Sequence, residues 1–310
     1  MLQKLKSIFE TFRKIPAQNR LILKQTESVK MLQGQVLSAL NKQNKEAILK
    51  DIQAAEFSIF SQWGDDGIIN FLSEYLDFEH KTFLEFGVED YSEANTRYLL
   101  KSKNWTGFVM DGSRQHIKKI QEDELYWQHE LHAKEAFITA DNINTLITEA
   151  GFANKLGLLH IDIDGNDYHI WKAITCVNPT LVVMEYNSIF GSNQPWTIPY
   201  EADFVRQNKH YSHLYCGCSI LSYCDLAEEK GYAFIGSNRA GNNAYFVRND
   251  KLKQLPTLTA EQGYVESKFR ESRNQEGQLT FIGGTDRLKL LNGLEILNTR
   301  TNLIEKINVF

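Results

Sequence analysis

The sequence predicts an α/β protein with a Rossmann-like, doubly wound and mostly parallel sheet, a C-terminal antiparallel hairpin and an N-terminal helical extension. From Phe83 onward, short apolar runs alternate with stretches of helical periodicity, which is the pattern of βαβ units. Several runs end in an acidic residue, and such residues meet at the carboxyl edge of a parallel sheet. We expect three parts in the 310 residues: a helical extension over 1–56, a Rossmann-like domain over 57–250 and a helical or lid segment over 251–310.

The predicted elements follow from apolar periodicity. Strands are predicted at Thr82–Phe86, Gly107–Met110, Ala136–Ile138, Leu156–Ile163 and Thr180–Met184. Helices between them are predicted at Ala94–Lys101, Gln115–Glu122, Ile143–Ala150 and Tyr168–Ile174. A further helix over Leu214–Gly231 leads into two apolar runs, Tyr232–Ser237 and Asn243–Arg248, which flank a Gly/Asn-rich turn. This turn predicts an antiparallel hairpin that closes the sheet.

The N-terminal extension is predicted to contain two helices, separated at Pro16. The first carries an apolar stripe of Leu2, Leu5, Ile8, Phe9, Phe12 and Ile15, and the second a stripe of Val29, Leu32, Val36 and Leu40. Such stripes bury against the main body, a second subunit or a membrane surface. Packing on the body or homo-oligomer contact is favoured, but a peripheral membrane contact stays open. The basic residues beside the first stripe that suit it are Lys4, Lys6, Arg13 and Lys14.

Composition narrows the class of protein. With 42% hydrophobic and 24% charged residues the chain is ordinary and globular. It has no 18-residue apolar run and no apolar leader, so we expect a cytoplasmic protein without a transmembrane segment. Residues 1–50 contain 10 Lys/Arg and 3 Asp/Glu, a net charge of +7, so the remainder carries −12 of the total −5. An acidic body argues against nucleic acid as a partner.

The first candidate site follows the Phe83 strand. Glu85 and Gly87 end this strand, and a glycine there permits close approach of a ligand. The G-x-G-x-x-G phosphate motif is absent, because Glu89 and Asp90 occupy the following loop. Carboxylates repel a pyrophosphate but tolerate a cationic sulfonium and an amino group. The alternative is a plain turn glycine.

Two more acidic residues follow the next strands. Asp111 ends the second strand at a spacing that suits a ribose diol, or else it caps the following helix together with Ser113. Asp141 follows the third strand, where it would accept a hydrogen bond from an adenine amine or act as a helix cap.

The strongest candidate group lies after the fourth and fifth strands. Asp162 and Asp164 share one side of their strand, and Glu185 and Asn187 end the next. Clustered carboxylates need a cation, a proton or donors. Asp164, Glu185 and Asn187 would hold Mg²⁺ through oxygen ligands, or the group would bind sugar hydroxyls without metal. His160 is either a base or a core histidine.

Several short segments carry a family resemblance. They are Phe60-Ser61-Gln62-Trp63-Gly64-Asp65-Asp66-Gly67, Glu85-Phe86-Gly87, Asn95-Thr96-Arg97, Asp111-Gly112-Ser113, Ile161-Asp162-Ile163-Asp164-Gly165, Glu185-Tyr186-Asn187 and Gly241-Asn242-Asn243-Ala244-Tyr245-Phe246-Val247. In this order and spacing, the run from Phe60 to Arg248 resembles FkbM-like class I S-adenosylmethionine (SAM) methyltransferases. It is most similar to a branch common in bacterial surface-polysaccharide gene clusters. The departure is Glu89, where the family usually has a second glycine.

The resemblance implies roles for individual residues. Glu85, Gly87 and Asn95 would line the methionine part of SAM, with Asp162 near its amino group. Asp111 with Ser113 would hold the ribose, and Asp141 the adenine. Gln62 is suggested near the methionine carboxylate, while the Asp65-Asp66 pair is expected to cap the helix that starts near Gly67.

The expected activity is O-methylation of a sugar hydroxyl in a bacterial surface glycan or its precursor, with a small-molecule or glycan acceptor. Asp164 is the favoured base, alone or through a metal shared with Glu185, and His160 is a further candidate. Arg270 and Arg273 would grip an anionic acceptor group, with Tyr186 as another acceptor contact. The alternatives are a NAD- or nucleotide-sugar-binding Rossmann enzyme and a non-catalytic scaffold.

Overall fold

The computed structural model describes the backbone of residues 2–309 and the side chains of residue 13 and residues 15–309. The predicted side-chain roles of Leu2, Lys4, Leu5, Lys6, Ile8, Phe9, Phe12 and Lys14 therefore lie outside the described residues. No described helix combines the length and the hydropathy that a membrane span requires.

Ten strands form two sheets in the described part of the chain. The strands are β1 (Thr82–Phe86), β2 (Thr106–Asp111), β3 (Leu131–Glu135), β4 (Leu158–Ile161), β5 (Leu181–Glu185), β6 (Trp196–Thr197), β7 (Tyr232–Ser237), β8 (Asn243–Arg248), β9 (Glu295–Asn298) and β10 (Leu303–Lys306). The main sheet has the order β3-β2-β1-β4-β5-β8-β7, and only β8 runs against the other strands in it. The small antiparallel sheet has the order β10-β9-β6. The main sheet is doubly wound and mostly parallel and ends in the antiparallel hairpin, as the sequence predicts.

Helices cover both faces of the main sheet. They are α1 (Leu2–Gln43), α2 (Lys45–Ile48), α3 (Asp65–Tyr75), α4 (Arg97–Lys103), α5 (Arg114–Glu122), α6 (Leu125–Gln128), α7 (Ile143–Glu149), α8 (Asp167–Ala173), α9 (Arg206–Lys209), α10 (Ile220–Lys230), α11 (Ala260–Gly263) and α12 (Asp286–Lys289). Short 3₁₀ turns occur at Ile52–Ala55, Ser188–Phe190 and Asn249–Lys251.

Strand alternation divides the core into two layers. Leu84 on β1 packs in a cluster with Ile147 of α7 and Ile170 of α8. Its neighbour Phe83 points to the opposite face, into a cluster with Ile68 of α3 and Leu99 of α4. The loops at the strand ends are therefore held between two packed layers.

The predicted hairpin over Tyr232–Ser237 and Asn243–Arg248 is confirmed, but two other boundaries are wrong. β3 covers Leu131–Glu135 instead of Ala136–Ile138, because an edge strand with His132 and Lys134 has no apolar run. The helix predicted over Leu214–Gly231 begins only at Ile220, where the Ser219 hydroxyl accepts a hydrogen bond from the Ser222 N–H. The C-terminal segment contains β9 and β10 besides two single-turn helices.

The predicted break at Pro16 is also wrong, since α1 continues through it. A proline removes a single N–H donor, and a long helix survives that loss. The expected capping by the Asp65-Asp66 pair is wrong as well, because both residues lie inside α3 and Gly64 is its N-cap.

Both aspartates instead anchor the loop before α3. One oxygen of buried Asp66 accepts hydrogen bonds from the backbone N–H groups of Ile59, Phe60 and Ser61 at 2.6–2.9 Å. Buried Asp65 accepts from Asn238 and Asn243 at 3.0–3.1 Å and from the Tyr245 hydroxyl, all on the hairpin.

The raised pKa of Asp66 predicts that the free energy of unfolding of the protein depends on pH. Burial outweighs the three backbone hydrogen bonds and raises the pKa of Asp66 from 3.8 to about 6. The folded state holds this proton more tightly than the unfolded chain, so the stabilisation is complete below pH ~4 and is lost as the pH rises through about 6. The variant Asp66→Asn keeps an oxygen acceptor but has no carboxyl group to ionise. We expect its free energy of unfolding, relative to that of the parent protein, to rise by up to about 3 kcal/mol from pH 4 to pH 7. Urea unfolding across this range measures the difference, and parallel profiles for the two proteins would contradict it.

Candidate active site

A cavity of about 660 Å³ lies at the carboxyl edge of the main sheet, and five of the six parallel strands contribute to it. The loop after β1, Asp111 at the end of β2, the loop after β3, the turn after β4 and Glu185 at the end of β5 line its wall. The cavity is centred where the chain order reverses, between β1 and β4, which is where ligands bind in open α/β sheets. Its volume is in the range of small-molecule sites.

Glu85 organises the loop after β1. Its buried carboxylate accepts hydrogen bonds from the N–H groups of Asn95 and Thr96 at 2.9 and 3.1 Å, from the Thr96 hydroxyl, and from His160 Nδ1 at 3.0 Å. Burial by itself raises the pKa of Glu85, but these donors outweigh it and hold that pKa below its ordinary value. Glu85 therefore fixes the loop in place.

His160 is fully enclosed in the same network. Nδ1 donates to Glu85, and Nε2 lies 3.1 Å from the Asn95 amide nitrogen. Burial lowers the pKa of His160, but the adjacent Glu85 carboxylate outweighs this and raises it. Both ring nitrogens of His160 therefore have protein partners, and the ring also lines the cavity.

Position 87 requires a glycine because the chain at the end of β4 passes very close to it. Its φ is +72°, and a Cβ at this position would lie 1.6 Å from the Asp162 carbonyl oxygen. The Asp162 carbonyl occupies the space that a side chain would take, and Gly87 also lines the cavity, so the close approach of a ligand stays a prediction. Glu89 follows at φ 48°.

Asp111 ends β2, as the sequence predicts, and it links two of the site loops. One oxygen accepts from the Glu89 N–H at 2.9 Å, and the other from the Ser113 N–H at 2.7 Å and from His116 Nδ1 at 3.1 Å. Asp111 itself lines the cavity. Ser113 does not, since its hydroxyl is the N-cap of α5.

The residues after β3 differ from the prediction. Asp141 is exposed and does not line the cavity, because the chain turns away before it. Phe137 and Ile138 line the wall in its place, and Phe137 remains 50% exposed.

Three carboxylates meet at the ends of β4 and β5. Asp162, Asp164 and Glu185 each place one oxygen within 4.8 Å of the others. Burial and then repulsion between the carboxylates raise the pKa values of Asp162 and Glu185 well above their ordinary range. The side chains of Asp162 and Glu185 interact directly, and this contact partly offsets the rise in the pKa of Asp162. Asp164, at φ 57°, pairs instead with Arg206.

Asn187 is not part of this group, contrary to the metal-ligand prediction. Its side-chain oxygen accepts from the Ile189 N–H at 3.1 Å, and its amide nitrogen donates to the carbonyls of Leu214 and Cys216 at 3.0 and 2.9 Å. These bonds fix the following loop, and Asp162 supplies the third carboxylate in its place.

The three predicted acceptor contacts also lie away from the cavity. Tyr186 is buried and donates to the Val265 carbonyl at 2.6 Å. Arg273 donates to the Gly277 carbonyl at 3.0 Å, and the Arg270 guanidinium lies 5.7 Å from the Phe281 ring centroid. Tyr186 is thus held by a segment 79 residues further along the chain, and the two arginines are held within their own segment.

Sequence analysis missed four residues at the cavity mouth. Arg206 contacts Asp164 and lies 3.6 Å from Glu271, and both Arg206 and Glu271 line the cavity. Trp63 and Phe269 also line it and stack on each other, with ring centroids 5.9 Å apart and planes at 18°. The segments around Arg206 and Phe269 have no apolar periodicity that would predict their place in the fold. In the C-terminal segment the sequence predicts only Arg270 and Arg273 as site residues.

No protein-family model matches the sequence, and no curated protein resembles it. Among solved structures, a SAM-dependent methyltransferase from Clostridium acetobutylicum ATCC 824 matches 67% of this chain over 98% of its own, with 12% identity and a TM-score of 0.39. The CurJ carbon methyltransferase matches 59% of this chain at 11% identity and a TM-score of 0.37. The pyocyanin biosynthetic protein PhzM matches 57% at 12% identity and a TM-score of 0.37.

The matched regions span about half of the CurJ and PhzM chains, 52% and 53%. At such low identities and TM-scores these neighbours carry no argument about activity. The fold assignment rests on the strand order of the chain itself.

Gly87 gives a prediction with a matched control. Gly151 has a similar φ of +80°, but no atom lies within 4 Å of the place that a Cβ would take there. Gly151→Ala therefore carries only the backbone strain, about 1–2 kcal/mol. Gly87→Ala adds the collision with the Asp162 carbonyl and is expected to lower the thermal unfolding midpoint by at least twice as much. Thermal unfolding of both variants measures this, and equal shifts would contradict the role given to Gly87.

Proposed function

We propose that the protein is a SAM-dependent methyltransferase that methylates a sugar hydroxyl of a bacterial surface glycan or its precursor. The main support for this proposal is the excess of acidic side chains in the wall of the cavity. Among the described residues, its wall contains eight carboxylates and a single Arg or Lys side chain, Arg206. A sulfonium donor with an amino group suits such a wall, whereas the pyrophosphate of a dinucleotide is repelled by it.

The site loops suit the parts of the donor in order along the sheet edge. Asp111 lines the cavity after β2, where a carboxylate accepts hydrogen bonds from a ribose diol. Phe137 and Ile138 supply an apolar wall for the adenine beside it. The methionine part then extends over the loop after Gly87, toward Asp162. We place the reactive methyl group before the Asp162–Glu185 pair.

Methyl transfer forms an oxygen–methyl bond as the sulfur–methyl bond breaks, and S-adenosylhomocysteine leaves. The hydroxyl proton passes to a carboxylate. Asp162 and Glu185 have raised pKa values, so each binds a proton more tightly than an ordinary carboxylate does, which suits a general base. Asp164 is held by Arg206, so the Asp162–Glu185 pair is the better candidate for this role than Asp164. Much of the rate gain comes from alignment of the two reactants.

The same carboxylates suit a divalent cation. Asp162, Asp164 and Glu185 offer three oxygen ligands within 4.8 Å of one another, the ligand type that Mg²⁺ prefers. A bound Mg²⁺ would favour the deprotonated form of an acceptor hydroxyl. Arg206 neutralises one of the three in the metal-free protein.

The stacked pair at the cavity mouth supports a sugar acceptor. Trp63 and Phe269 are 40% and 38% exposed, and their rings line the entrance. Exposed aromatic faces pack against the apolar face of a sugar ring, while carboxylates beyond them accept its hydroxyl donors. The glycan context itself rests on the sequence resemblance.

Calorimetric titration tests donor binding. We expect SAM and S-adenosylhomocysteine to bind at micromolar affinity, and Asp111→Asn to weaken binding by about 10- to 100-fold because a charged hydrogen bond is lost. Asp141→Asn, outside the cavity, is the matched control and should leave the affinity unchanged. Binding of NADH in place of SAM would favour a dinucleotide enzyme, and the absence of any binding would favour a scaffold.

The metal prediction is tested by thermal unfolding. Mg²⁺ at millimolar concentration is expected to raise the unfolding midpoint of the parent protein by about 2–5 °C, since a ligand that binds only the folded state stabilises it. Asp164→Asn should lose most of this shift, while Asp141→Asn should keep it. An unchanged midpoint of the parent protein with Mg²⁺ would argue for metal-free chemistry.

A further inference from the structure

Helix α1 has two different faces, and one of them is docked on the body. Gly34 has no side chain, and a Cβ there would lie 2.6 Å from the Tyr98 ring, so the two elements are in close contact. Glu27 pairs with Lys101 at 3.0 Å, and Lys24 with Glu124 at 2.8 Å. These contacts fix the orientation of the helix.

The opposite face of α1 is apolar and exposed. Ile15, Ile22, Val29 and Val36 recur at intervals of seven residues, and all four are between 39% and 57% exposed. We assign them to position a of a heptad abcdefg. Leu32, 61% exposed, is then at position d.

The heptad assignment separates the two faces completely. Between residues 15 and 43 the residues that are not exposed are Glu27, Met31, Gly34, Leu37, Ser38 and Asn41. All six fall at positions b, c and f. The seam formed by a and d therefore points away from the body, where a second helix can approach without meeting it.

Charge identifies the partner of this seam. The charged residues between 15 and 40 are Arg20, Lys24, Glu27 and Lys30, and they also fall at f, c and b. Positions a, d, e and g hold none. A helix that lies on an anionic membrane needs basic residues flanking its apolar stripe, and this stripe has neutral flanks. Two identical copies can pair along it without like-charge repulsion, although residues 1–50 carry +7.

We propose that the seam binds the seam of a second copy of this chain, as a parallel two-stranded coiled coil. In parallel coiled coils, β-branched residues at a with Leu at d favour two strands, and this seam has Ile or Val at each a position and Leu32 at one d position. Gln18 and Gln25, at position d, then face the same residues of the second copy. The seam from 15 to 40 is about 39 Å long.

The area is sufficient for a stable dimer. Each half-exposed Val, Leu or Ile removes roughly 50–100 Å² from water when it is buried. Leu40, 50% exposed at position e, joins the five apolar residues of the seam. In a dimer, these six side chains of each copy and the polar residues beside them would bury a total area near the lower end of the range for specific interfaces, about 1,200–2,000 Å².

Sedimentation velocity of the full chain from 1 to 100 µM tests the proposal. We expect a dimer, and we expect Val29→Glu with Val36→Glu to raise its dissociation constant more than 100-fold. Leu23→Glu is the matched control, because Leu23 is 68% exposed but lies at position b, and it should leave the dimer unchanged. Far-UV circular dichroism shows that each variant is folded. A monomeric parent, with or without binding to anionic vesicles, overturns the proposal, as does a double variant that stays dimeric.

Oxidation of Val36→Cys tests the orientation. In a parallel pair the two introduced thiols face each other, so we expect a disulfide-linked dimer. Leu23→Cys and the parent protein, whose own cysteines are buried or half-buried, should give none. No crosslink at position 36 overturns the parallel arrangement.

Discussion

The close approach of the β1 loop to the end of β4 is the constraint on which the site depends. Gly87 meets the Asp162 carbonyl at a distance that no side chain permits. Glu85, two residues earlier, holds the far end of the same loop through the N–H groups of Asn95 and Thr96. With both ends fixed, the Glu89 N–H reaches Asp111 on the next strand. One loop thus aligns the edges of three neighbouring strands around the cavity.

Carboxylates with little access to solvent serve two different purposes in this protein. Asp65 and Glu85 are matched by internal donors, so each stabilises one arrangement of the surrounding backbone, whereas Asp66 holds its loop at a cost in stability when it is ionised. Asp162 and Glu185 have no such set of donors among the described residues, and burial and mutual repulsion raise both of their pKa values. A carboxyl pair left in this state is costly to folding unless a cation or a ligand compensates it. That cost agrees with the role proposed for the pair in binding a cation or accepting a proton.

The cavity carboxylates also link the donor and acceptor halves of the proposed reaction. The carboxylates that favour a cationic donor electrostatically are the same groups that would accept the proton of the acceptor hydroxyl. The Trp63–Phe269 stack lies at the mouth of this cavity, so the acceptor and donor enter one space. The seam of α1 lies on the outer face of the docked helix, and pairing along it leaves the body contacts of the helix intact.

The sequence by itself determined the sheet, the C-terminal hairpin and the edge at which Asp111, Asp162 and Glu185 lie, because buried strands carry apolar runs and parallel strands end at one edge. Only the tertiary structure decided which polar groups face the cavity. Asn187 is drawn away by carbonyls 27 and 29 residues further along the chain, and Arg206 enters from a segment without periodicity. The local sequence pattern predicts that a residue lies at the edge of the sheet. The direction of its side chain depends on which hydrogen-bond partners distant segments of the chain bring near it.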